Sequence, residues 1–210
     1  MTFSARSILE GAVYALEQCG CLLTDAALLL RARSAASALV LAAFGREELG
    51  RARILLRLAA EAEAGVEVTG KRIQTECGDH VIKQSWGQLS ITQLADADSG
   101  LGKLHRAILD NPPNSEEYKN ASARLEETTR RQAKRKPDER HQERMNDLYV
   151  EPSNSGWNRP SQVNREIAQQ FVSEAIADYR VILHGDVKSR LNRFLAEWEE
   201  HPELPDPPSA

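Results

Sequence analysis

Residues 42–56 read AAFGREELGRARILL, and the placement of this stretch decides the fold. It is the middle of a run over residues 34–64 in which Ala35, Ala38, Ala42, Gly45, Leu49, Ala52 and Leu56 recur at steps of three and four. That spacing brings side chains to one face of an α-helix. Projected at about 100° per residue, the opposite side carries Val40, Phe44, Glu47, Arg51, Ile54 and Leu58, with Glu48 and Leu55 on the border. Glu47, Glu48 and Arg51 are therefore set in a second apolar surface rather than on a solvated face. A helix apolar on two sides lies at the centre of a bundle or is covered by a partner. Charges embedded there are paired, desolvated, or both. Ser34 is the expected N-cap and Gly65 the expected end.

Upstream, residues 4–32 place Ile8, Ala12, Ala15, Leu16, Cys19, Leu22, Leu23, Ala26, Leu29 and Leu30 on one helical stripe, with Ser4 as N-cap and Thr2 or Ser7 as alternatives. The short connection predicts an antiparallel pair, with the small-residue face of the second helix against the first. Downstream, a weaker pattern predicts a third helix over 71–97, in which Gly78 and Gly87 are unfavourable. DNPPNS (110–115) is a break. Residues 116–136 are strongly charged, and Pro137 followed by Asp138 and Glu139 marks a helix start running to about Tyr149. EPSNSGWNRPS (151–161) reads as a loop. Pro160 or Ser161 then opens a last helix to about Glu200, with Ile167, Phe171, Ala175, Ile176, Tyr179, Ile182 and Leu183 as its stripe. HPELPDPPSA (201–210) is polar and proline-rich and is expected to be disordered. No alternating strand pattern and no internal repeat is visible. The expected fold is all-α: an up-and-down bundle of four to five helices over residues 1–200, with a tail over 201–210.

The composition agrees with this class. Of 210 residues, 41% are hydrophobic and only 5% aromatic, and Ala and Leu dominate, which favours helix over sheet. The net charge of −4 provides no global attraction to nucleic acid or a membrane surface. RRQAKRK (130–136) carries five positive residues in seven and can contact phosphates, although Glu126, Glu127, Asp138 and Glu139 offset it. Three cysteines, Cys19, Cys21 and Cys77, do not make a disulfide framework and point to a reducing compartment. The N-terminus lacks a signal-peptide pattern, and charges break the longest apolar stretches short of a membrane span. A cytoplasmic protein with no membrane association is expected.

Among five histidines, His80 stands out. DHVIK puts Lys83 three residues on, on the same helical face, and spaces Asp79 to pair with Lys83. An imidazole held beside an ammonium suits a general base near neutral pH. The competing reading is a surface histidine without chemistry, just as Glu47 and Arg51 can be an ordinary pair four residues apart. His141 falls in a solvated segment, His184 among apolar residues and His201 in the tail. No histidine pair has metal-ligand spacing, and no phosphate-binding glycine loop or G-x-S-x-G element occurs, so neither metal nor cofactor is expected.

These elements in this order resemble the AbiV-type branch of the HEPN superfamily. The segment GAVYALEQCGCLLTDAALLLRARSAASALVLAAFGREELGRA (11–52) ends in the Glu-Glu-x-Gly-Lys/Arg element as Glu47, Glu48, Gly50 and Arg51. A following His-x-x-Lys is His80 and Lys83, and LYVEPSNSGWNRP (148–160) is similar to the family's later Leu-Tyr-Val-acid segment. The resemblance covers roughly residues 5–180. It implies a helical domain, often dimeric, acting in abortive infection against phage. Many HEPN proteins are metal-independent ribonucleases with an Arg-x(4)-His signature on a late helix. Here RVILH (180–184) is one residue short and RKPDERH (135–141) one too long. The resemblance thus carries the site to Glu47, Glu48, Arg51, His80 and Lys83. It implies an effector acting on RNA or translation, a homodimer with RNA as substrate. The alternative is a non-catalytic module that dimerises and binds a phage or translation-machinery protein.

Overall fold

The computed structural model describes residues 1–87, 100–112, 114–134, 151–153, 156–158, 163–183, 185–198 and 202–208. Among these residues the chain forms eight helices and one antiparallel pair of three-residue strands: α1 (Ala5–Arg31), α2 (Ala35–Glu63), α3 (Gly70–Gly78), α4 (His80–Gly87), α5 (Gly100–Asp110), α6 (Glu116–Lys134), β1 (Glu151–Ser153), β2 (Gly156–Asn158), α7 (Arg165–Ile182) and α8 (Gly185–Ala196). The fold is all-α, as the periodicity predicts.

α1 and α2 form the antiparallel pair at the centre. The Ser4 side chain accepts from the Ser7 amide and caps α1, while Gly65, in the left-handed region at φ 84°, ends α2. The turn between the helices is made by Arg33 at φ 63°. Ala38, Ala42, Leu49 and Ala52 are fully buried against Leu16, Cys19, Leu23 and Ala26 of α1. Among the described residues, α1 is the one helix long and apolar enough, by length and composition, to cross a membrane, contrary to the expectation that charges break every apolar stretch short of a span. Its apolar stripe is instead the core of the bundle, with Ile8, Ala12, Val13, Leu16, Cys19 and Leu23 buried.

The second apolar face of α2 is covered by α4 of the same chain, so it no longer calls for a second copy. Two glycines permit the contact. A methyl group at Gly50 would overlap the Lys83 carbonyl, and one at Gly87 would overlap the Arg46 carbonyl. Gly87 is a site of close backbone approach rather than a helix breaker.

Three expectations change. The single helix over 71–97 is two helices, because Asp79 leaves the helical region (ψ 115°) and its Oδ1 accepts from the Ile82 amide at 3.2 Å, capping α4. Residues 88–97 lie outside the described residues. The last helix is likewise two, α7 and α8, separated after Ile182. Asn164 caps α7 in place of Pro160 or Ser161, its Oδ1 accepting from the Glu166 and Ile167 amides. Ile167 falls off the buried stripe at 59% exposed, whereas Ala168, Val172, Ala175, Ile176, Tyr179 and Ile182 are buried. Finally, residues 202–208 lie along the bundle instead of leaving it as a disordered tail. Leu204 packs on the core and the Tyr179 hydroxyl donates to the Pro205 carbonyl at 3.0 Å. The 151–161 loop contains the short ladder β1–β2, pairing Glu151 with Asn158. The helix expected over 137–149 lies outside the described residues, as do the side chains of the basic run 130–136.

Candidate active site

The site is built where α2 and α4 cross. Glu47, only 3% exposed, points from α2 toward α4. His80 opens α4, and its Nδ1 donates to Glu47 Oε2 at 2.7 Å. Gln84 Nε2 donates to Glu47 Oε1 at 2.9 Å, and the Lys83 ammonium lies 3.6 Å from Oε2. His80, Lys83 and Gln84 stand at positions i, i+3 and i+4 and so share one face of α4. The carboxylate accepts from two donors and is ion-paired to a third group, and together they hold it in place. The imidazole does the reverse: its side chain is 64% exposed. A carboxylate cannot donate, so Nδ1 carries the proton in the neutral ring, and Nε2 keeps its lone pair.

Glu48 and Arg51 form a second pair on α2, 2.9 Å apart. This corrects the expected Glu47–Arg51 pair: Arg51 turns to Glu48, because Glu47 is drawn inward by α4. It also corrects the Asp79–Lys83 pair, since Asp79 serves as a cap and the Lys83 ammonium reaches Glu47. Lys83 is nearly as buried as Glu47, at 3% exposed, so it cannot reach a bound phosphate. Arg51 can, with 39% of its side chain exposed. The five residues chosen from the sequence thus divide. Glu47, His80 and Lys83 are joined directly, and Glu48 with Arg51 sits within their electrostatic reach.

The two neighbouring carboxyls are pushed in opposite directions. Burial raises Glu47, but the hydrogen bonds from His80 and Gln84 and the charges of His80 and Lys83 outweigh it, so this carboxyl lies below its ordinary value. Glu48 is raised: burial dominates over Arg51 and Lys83, and the adjacent Glu47 charge adds to it. Because the folded state favours protonated Glu48, its ionisation costs stability as pH rises above about 4.5, its unfolded value. Glu48→Gln is therefore expected to melt higher than the wild type at pH 7, with the gain shrinking at pH 4. Paired thermal melts at the two pH values check this; an equal gain at both would remove the electrostatic explanation.

Other charged residues of α2 act as fasteners that sequence reasoning missed. Arg46, 7% exposed, lies 3.0 Å from Asp178 and 3.5 Å from Glu174 of α7 and stacks over Phe171 at 4.6 Å. Arg53 donates to the Trp86 carbonyl at 2.7 Å, a further tie to α4. Arg57 and Glu61 of α2 and Arg72 and Glu76 of α3 form a network of alternating charges, in which Arg57–Glu76 and Arg72–Glu61, the latter at 2.6 Å, link α2 to α3. Gln84 was legible only through its spacing from His80. Among the described residues, no group of three or more His, Cys, Asp or Glu side chains is arranged to hold a metal ion.

The AbiV family model matches residues 7–178, and the chain belongs to that family, the abortive-infection branch of HEPN proteins. No curated protein and no solved structure matches the chain. The matched region contains Glu47, Glu48, Arg51, His80 and Lys83.

Proposed function

We propose that this AbiV protein is a cytoplasmic abortive-infection effector that cleaves RNA without a metal ion. One observation carries the reading: an exposed imidazole anchored through Nδ1 to a buried carboxylate that Lys83 and Gln84 hold in place. That arrangement fixes the tautomer and leaves Nε2 facing solvent as a general base. His80 Nε2 takes the proton from a ribose 2′-hydroxyl. The 2′-oxygen attacks the adjacent phosphorus, and the 5′-oxygen leaves with a proton from solvent, giving a 2′,3′-cyclic phosphate. Arg51 lies beside the site with the exposure needed to balance charge on the phosphate. Glu47 and Lys83 position the base and touch no substrate. With 5% aromatic residues the chain offers few stacking platforms, which favours recognition of the RNA backbone and shape.

A second reading has its own support, because the Glu47 cluster also ties α2 to α4. On that reading it stabilises a non-catalytic module that dimerises and binds a phage or translation-machinery protein. The test is cleavage of total cellular RNA by purified protein in EDTA, beside His80→Ala. Cleavage should fall by about 10²–10⁴-fold in the variant, with the protein still folded at the assay temperature and phage protection lost. If folded wild type does not cleave, alone or with phage lysate, the nuclease reading is wrong and binding takes its place. If His80→Ala cleaves as well as wild type, the base is another residue.

A further inference from the structure

The C-terminal segment Pro202–Pro208 reads PELPDPP, with four prolines in seven residues, and lies beyond the region matched by the family. It rests in a groove between α1 and α7. At the bottom of the groove is Gly20, where an added methyl would come within 2.9 Å of Pro205 Cβ and 2.7 Å of the Tyr179 hydroxyl. The pyrrolidine ring therefore sits on bare helix backbone. The Tyr179 hydroxyl, pushed well up by burial and so protonated at any physiological pH, donates to the Pro205 carbonyl. Arg180 donates to the Pro208 carbonyl at 2.7 Å, and Leu204 packs against the core.

This is the complementarity that a proline-rich segment requires. Proline has no N–H, so four of the seven residues offer a carbonyl alone, and consecutive residues of α7, Tyr179 and Arg180, donate to the carbonyls of Pro205 and Pro208. Aromatic side chains lining a groove are the usual means of reading such segments, and Tyr179 supplies one here. We infer that the Gly20–Tyr179–Arg180 groove is a binding site for extended proline-rich peptides, and that residues 202–208 are its tethered occupant. The site is separate from the Glu47–His80 cluster and does not depend on its chemistry. A tether of a few residues gives the tail an effective concentration on the order of millimolar, so the intact chain fills its own groove, and a competing segment in trans must outbind it.

The test uses the full-length chain with Leu204→Ser and Pro205→Gly, which weaken the tethered occupant. A fluorescent peptide, PELPDPP, is titrated into this variant and into wild type and followed by anisotropy. The peptide should bind the variant at least about tenfold more tightly than wild type. Adding Gly20→Ala should abolish binding. Adding Tyr179→Phe, which removes only the hydroxyl, should weaken it about fivefold. Equal binding to wild type and variant overturns the inference. So does no binding by a variant whose circular dichroism and melt match wild type, or binding indifferent to Tyr179→Phe.

Discussion

Gly50→Ala is expected to destabilise the protein by about 3 kcal/mol or more, at the upper end of overpacking effects, lowering the melting temperature by roughly 6–12 °C. The sign is opposite to the ordinary one, since alanine in a helix interior is favoured over glycine by up to about 1 kcal/mol. Here the new methyl meets the Lys83 carbonyl oxygen and carbon and the Gly87 amide nitrogen. These are backbone atoms of a helix and cannot step aside individually, so α4 must move as a unit. His80 and Lys83 move with it, away from Glu47, and activity should be lost below the melting transition as well. Gly87→Ala should behave alike through the Arg46 carbonyl. Gly78→Ala is the control: its methyl would meet open space, so the variant should be neutral or slightly more stable. Thermal melts of the three variants give the ordering. A Gly50→Ala variant as stable as wild type would mean that α2 and α4 are not in backbone contact.

Glu47→Ala should cost about 3–5 kcal/mol, the penalty for breaking a buried ion pair from one side. Lys83 is 3% exposed, and without Glu47 its ammonium keeps the field of Glu48 in place of a direct partner. Removing the second charge as well should restore much of the loss, so Glu47→Ala with Lys83→Met should be more stable than Glu47→Ala alone. His80→Ala should cost less, about 1.5–3 kcal/mol, one hydrogen bond to a charged group, because the exposed ring leaves room for water to take its place. The same residues predict a pH dependence. Glu47 is held below its ordinary value in the folded protein, so its contribution is fully present above the unfolded pKa, about 4.5, and is lost as pH falls through the folded value. The acid side of the stability profile should therefore be shallower in Glu47→Gln. Urea unfolding across pH 3–7 measures both effects, and additive costs for Glu47→Ala and Lys83→Met would show that the two charges do not interact.

Much of the fold is legible in the sequence. The period of three and four over residues 4–32 and 34–64 is a local property, set by which side chains share a helix face, and both helices formed with Ser4 and Gly65 as their punctuation. Helix breaks were less legible. Asp79 carries no proline or turn cluster to announce it, and its capping role becomes visible only through its bond to the Ile82 amide. Gly87 resembled a weak point because propensity takes no account of a neighbouring helix. The tail was read as disordered for a similar reason: its prolines cannot build a core, but Gly20 and Tyr179 offer it one.

The site divides along the same line. That Glu47, Glu48 and Arg51 stand in an apolar surface follows from a helical projection, and that His80 and Lys83 share a face follows from their spacing. The region matched by the family spans all five of those residues. Which charge meets which is not a property of spacing. Glu47 and Arg51 are well placed to pair along one helix, and such a pair is worth only about 0.2–0.5 kcal/mol in water. Once α4 settles on α2, Glu47 is buried and needs every donor within reach, so His80, Gln84 and Lys83 take it, and Arg51 is left to the more exposed Glu48. Periodicity along one chain encodes which face is buried. The cost of leaving a buried charge unpaired, which exists only after packing, selects its partners.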